Sequence, residues 1–100
     1  MYALVILRET GDAVEEPEHE PFIDSLIERR MVLMGGPFDS AIVPAATAAY
    51  VLRCADRAEA EAVVATDPLV VSGAYQAVVA QWNLVGIDLG AIDAGLVLSP

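Results

Sequence analysis

The stretch Tyr2 to Arg8, YALVILR, is apolar on both of its alternating faces. Tyr2, Leu4 and Ile6 form one row, and Ala3, Val5 and Leu7 the other. A strand with one wet face alternates apolar and polar residues. One that does not alternate is covered on both sides. A chain that begins this way must supply two layers over its first strand, or one layer and a partner.

The rest of the chain offers material for one layer. Phe22, Ile23, Leu26 and Ile27 recur on one face of a helical segment, with Asp24, Ser25, Glu28 and Arg29 opposite. Pro21 lacks an amide proton and belongs in the first helical turn, which puts His19 at or just before the helix start. Arg29 and Arg30 sit at the negative end of the helix dipole. Met31 to Met34 reads as a second strand, ended by Gly35-Gly36-Pro37, and Phe38 to Thr47 as a connection. Ala48 to Ala55 is a third strand. Asp56 and Glu59 have the spacing of a capping box, and the helix they open buries Ala60, Val63 and Val64. Asp67-Pro68 stops it. Gln76 to Val85 is a fourth strand, long and mostly apolar.

The order is β-α-β-β-α-β, the ferredoxin-like arrangement. It predicts an α+β fold with a four-stranded antiparallel sheet and two helices on one face. The other face has no cover from the chain itself. With 56% apolar residues and a mean hydropathy of +0.53, a chain of 100 residues carries more apolar surface than it can bury alone. Two sheets packed face to face satisfy both strand faces, so a homodimer or higher oligomer of the dimeric α+β barrel type is expected. Residues 1–86 make the domain. The tail, residues 87–100, is expected to dock on the body or on the partner subunit.

Charge and composition narrow the function. The net charge is −10, with five arginines and no lysine. Phosphate contacts need a basic footprint, so no nucleic acid is expected as a partner, and no anionic membrane surface. Met1 to Thr10 lacks a basic leader region and reads as a strand, and no apolar run reaches the ~18 residues of a membrane span. A cytoplasmic location is expected. Cys54 is the single cysteine, in an apolar strand, and reads as a buried inert thiol. One histidine and one cysteine make no zinc site, and no glycine-rich fingerprint opens a helix. No metal and no cofactor are expected.

His19 is the only histidine. Within EPEHEPFIDSL it is either a solvated residue of an acidic loop or a base at a helix start. Asp67 is either a helix-stopping cap or the partner that holds one ring nitrogen of His19 and leaves the other to take a proton. Ser72 either finishes a turn before Gly73 or donates a hydrogen bond to substrate. Tyr50, Tyr75 and Trp82 read as core or interface aromatics. Arg8 and Arg53 either bind a substrate anion or pair with the abundant carboxylates.

Three landmarks fall into one pattern: His19 before a helix, Gly36-Pro37 after the next strand at 17 and 18 residues on, and Thr66-Asp67-Pro68-Leu69 with Gly73 and Tyr75 behind it. In these the chain resembles the YCII-related (YciI-like) family of small dimeric α+β barrel proteins, over about residues 1 to 85. The resemblance implies a His19–Asp67 pair in a pocket facing the barrel interior, working without metal or organic cofactor. It implies general acid–base chemistry: elimination, isomerisation or cyclisation of a small aromatic or polyketide-like molecule, as in the family's dehydrochlorinase of chlorinated hydroxyquinols. The alternative is a non-catalytic ligand-binding or accessory barrel. The chain departs from the family pattern in having Glu16 where arginine is common, Gln81-Trp82-Asn83 in place of a terminal Pro-Trp, and Ser72 in place of alanine.

Overall fold

The computed structural model describes residues 1–93, 95 and 96. The chain runs β1 (Tyr2–Glu9), α1 (Glu20–Glu28), β2 (Val32–Pro37), β3 (Ala46–Arg53), α2 (Arg57–Val64), α3 (Pro68–Val71) and β4 (Tyr75–Gln81). The four strands form one antiparallel sheet in the order β2-β3-β1-β4. This is the α+β, βαββαβ fold that the element order predicts.

Strand register divides the sheet into two faces. Ala3 lies opposite Leu52 and Gln81, Val5 opposite Tyr50 and Val79, and Leu7 opposite Ala48 and Ala77. Ala3, Val5, Leu7 and Leu52 are completely buried on this face, beneath Leu26 of α1, Ala60 and Val64 of α2 and Leu69 of α3. The opposite face presents Leu4 beside Val51 and Ala80, and Ile6 beside Ala49 and Val78. Met34, beside Val51, is 61% exposed there, and Val78 is 44% exposed. Both rows of β1 are therefore apolar for different reasons: one meets the helices, the other forms an open apolar sheet face.

Several boundaries differ from the sequence-based expectation. β2 does not end at Gly35 but continues through Gly36 to Pro37, which pairs with Ala48. It is an edge strand, so the missing amide of Pro37 breaks no ladder on its outer side. β3 starts two residues early, at Ala46, and β4 ends at Gln81. Asp67-Pro68 both ends one helix and starts another: Val64 closes α2, and Pro68 takes the first turn of the short α3. Ile27, assigned to the buried face of α1, is 51% exposed, and Leu26 carries the burial at 1%.

The capping pair at α2 forms with its return bond shifted by one residue, to the amide before the N-cap Asp56. Asp56 Oδ1 accepts from the Glu59 amide at 2.9 Å, and Glu59 Oε1 accepts from the Ala55 amide at 3.1 Å. Beyond β4, Leu84, Val85, Ile87, Leu89 and Ile92 are exposed around a short 3₁₀ turn at Leu89–Ala91. Of the tail assigned to docking, residues 94 and 97–100 lie outside the described set. No described helix is long and apolar enough to cross a membrane.

Candidate active site

His19 is the N-cap residue of α1. Its backbone carbonyl accepts the Phe22 and Ile23 amides at 3.1 and 3.2 Å, while its side chain makes no capping bond. Serine, asparagine or aspartate at this position normally turns back onto the helix amides. The imidazole instead leaves the helix. It stacks on Phe22 with ring centroids 5.6 Å apart and lies 6.0 Å from the Tyr50 ring.

The ring ends at Asp67. His19 Nε2 and Asp67 Oδ2 are 2.8 Å apart, across 48 residues of sequence. The His19 side chain is 24% exposed and Asp67 is completely buried. The two residues that the family resemblance pairs are in direct contact, on the helix-covered side of the sheet with Tyr50 rather than on its open face.

Asp67 has no surface exposed to solvent, so every acceptor position matters. Oδ1 accepts the Leu69 amide at 2.9 Å, which caps α3. Oδ2 accepts the Tyr50 hydroxyl at 3.0 Å and also contacts the His19 ring. One oxygen of Asp67 thus caps α3, and the other contacts the His19 ring.

Tyr50 is the member of the site that sequence reasoning missed. It reads as a core aromatic, and it is one, at 2% exposure. The only available signal was opposite it in β2. A Cβ at Gly35 would lie 2.5 Å from Tyr50 Cβ, so glycine is what lets Tyr50 occupy its place in the sheet. Burial first, then the charge of Asp67 and the bond to it, push the Tyr50 hydroxyl far above the usual tyrosine range. Above about pH 10 an unfolded tyrosine ionises while folded Tyr50 keeps its proton. The unfolded state then binds fewer protons, and stability falls by about 1.4 kcal/mol per pH unit from this group. Tyr50→Phe is expected to remove that part of the alkaline decline, measured as denaturation midpoints from about pH 9 to 11.

Ser72 is not drawn into the pair. Its hydroxyl donates to the Leu69 carbonyl at 3.0 Å and accepts the Ala74 amide at 3.2 Å. These bonds hold the turn into Gly73, whose φ is +84°. The single hydroxyl proton is committed to backbone, so a substrate bond from Ser72 requires breaking that contact. Glu16, exposed, accepts a long 3.4 Å bond from the Tyr75 hydroxyl.

A cleft of about 360 Å³ opens at the start of α1, bounded by Glu18, His19, Glu20, Pro21 and Asp24. Three carboxylates and no cation rim it. A larger recess of about 450 Å³, lined by residues including Met1, Arg53 and Cys54, shares no residue with the dyad. Arg8 and Arg53 donate to the carbonyls of Pro44 and Arg30. Cys54 is buried, and burial raises its thiol pKa. Among the described residues no group of three or more His, Cys, Asp or Glu is placed to hold a metal ion.

The YCII-related domain profile matches residues 3–83. The chain belongs to the YCII-related family. No curated protein sequence matches it. Among solved structures it is similar to the 5-chloro-2-hydroxyhydroquinone dehydrochlorinase TftG of Burkholderia phenoliruptrix AC1100, in complex with 2,5-dihydroxybenzoquinone. The TM-score is 0.62 at 16% identity, covering 83% of this chain and 94% of that one. At that identity the likeness is one of fold. For this YCII-related chain, the matched span contains all of His19, Tyr50 and Asp67.

Proposed function

We propose that this protein is a cofactor-independent small-molecule enzyme in which His19 is the general base and acid and Asp67 orients it. The observation that carries this reading is the 2.8 Å contact between a partly exposed imidazole and a fully buried carboxylate at the edge of a cleft. Imidazole is the side chain whose ordinary pKa suits proton transfer near neutrality, and such a group contributes about 10²–10⁴-fold. Burying a carboxylate that does no more than cap a four-residue helix is a costly solution, which supports a second task for Asp67.

The reaction class is removal of a proton from a small hydroxylated aromatic, with elimination or isomerisation following. The TftG likeness supports the aromatic class. The rim supports a restriction within it: Glu18, Glu20 and Asp24 disfavour anionic substrates. We further infer that the working form is a homodimer joined through the open sheet face of Leu4, Ile6 and Val78. The tail from residue 87, whose described apolar side chains are exposed, packs on the body or on the second copy.

A panel of chlorinated and unchlorinated hydroquinones tests the activity, with chloride release and ring absorbance as readouts. His19→Ala is expected to lower turnover by about 10²–10⁴-fold without altering the fold. Turnover near the wild-type level in that variant would sink the role of His19.

A further inference from the structure

We propose that Asp67 holds His19 in the Nε2–H tautomer, so that Nδ1 is the atom that exchanges a proton with substrate. This rests on the acid–base reading above and assigns the atom.

The direction of each bond follows from what its donor can do. A backbone amide only donates, so Asp67 Oδ1 is an acceptor from Leu69. The buried Tyr50 hydroxyl donates to Oδ2, the side-chain partner it has in the structure. Asp67 has no exposed surface through which water could reverse these roles. Between a carboxylate and an imidazole that share one proton, the imidazole is the stronger base in water by about two and a half pH units. The proton in the 2.8 Å contact therefore sits on Nε2, and the ring donates it to Oδ2. Among the described residues Nδ1 has no hydrogen-bond partner, and His19 lines the cleft.

The proton count closes. Nδ1 takes a proton from a substrate hydroxyl or carbon, giving an imidazolium that keeps Nε2–H and faces the Asp67 carboxylate. Nδ1 then returns the proton to the leaving group or to the product. Asp67 is never protonated, and Tyr50 does not change its charge. Tyr50 and the Leu69 amide are positioning groups: they act on substrate only through Asp67.

Asparagine at position 67 turns the arrangement into a switch. The Leu69 amide cannot rotate away and still demands an acceptor, so the amide oxygen takes the Oδ1 position. The NH₂ group then falls at the Oδ2 position and donates to His19 Nε2, and the Tyr50 hydroxyl turns to accept. Nε2 must now be unprotonated, and the proton moves to Nδ1.

The protein has a single histidine, so ¹⁵N-labelling of histidine gives one pair of ring nitrogens with no assignment problem. Long-range ¹H–¹⁵N spectra of the full chain, taken on the alkaline side of the ring's titration, are expected to show a protonated-type Nε2 and an unprotonated-type Nδ1. Asp67→Asn is expected to exchange the two shifts. A wild-type spectrum with Nδ1–H in excess overturns the proposal, as does a folded Asp67→Asn variant whose shifts do not exchange. If that variant does not fold, the wild-type spectrum decides alone. These results separate from the test of function. An Nδ1–H spectrum beside an inactive His19→Ala variant overturns the tautomer and spares the acid–base role. An Nε2–H spectrum beside a fully active variant does the reverse.

Discussion

Asp67→Asn is expected to lower turnover nearly as far as loss of the histidine itself, about 10²–10⁴-fold, while the protein stays folded. The substitution changes no volume and keeps the Leu69 cap, which needs only an acceptor at Oδ1. The cost lies in the ring it faces. An amide NH₂ in place of Oδ2 cannot accept the Nε2 proton, and it cannot stabilise an imidazolium by charge. Steady-state kinetics beside a urea titration check both halves: turnover collapses, and the unfolding free energy changes by no more than about 1–2 kcal/mol. An Asp67→Asn variant with wild-type turnover would show that the carboxylate is structural only.

Asp67→Ala should do the opposite kind of damage. Removing the side chain leaves the Leu69 amide and the Tyr50 hydroxyl buried without an acceptor, and His19 without its partner. Breaking a buried charged network from one side costs about 3–5 kcal/mol. A domain of this size has about 5–15 kcal/mol in total, so the variant sits near the limit of folding. Adding Tyr50→Phe removes one of the orphaned donors. It is expected to restore about 1 kcal/mol, although Tyr50→Phe alone is destabilising. Urea midpoints of the two singles and the double check the sign of this coupling.

The fold was legible in the sequence because apolar residues on both faces of β1 left few solutions. Alternation failed across Tyr2–Arg8, helical periodicity appeared at Phe22 to Ile27, and Asp56 with Glu59 marked a helix start. Boundaries were less legible where an exception depends on sheet position. Gly35-Gly36-Pro37 reads as a breaker unless the strand is known to be at an edge, and edge status is a tertiary fact. The site divides in the same way. His19 and Asp67 were found through a residue pattern, and their contact joins positions 48 apart that no local rule connects. Tyr50 was missed because its distinguishing group is one oxygen on a ring that otherwise packs as any core aromatic would. Only the register that sets it opposite Gly35 and above Asp67 reveals the difference. Ser72 had the right chemistry in the right neighbourhood, but its hydroxyl is spent on the turn it belongs to.

Asp67 divides its two oxygens between a backbone turn and an imidazole, and this limits how the protein can change over generations. A residue that served only the histidine could drift to glutamate or be replaced after a shift in substrate. Glutamate would carry its carboxyl one methylene too far to close the Leu69 turn, and alanine endangers the fold. Substitution at position 67 is therefore expected to cost more than substitution at the cleft rim, where Glu18, Glu20 and Asp24 are exposed and answer to no core contact. Rim side chains can be exchanged there, one at a time, over a His19–Asp67 contact that the fold itself depends on.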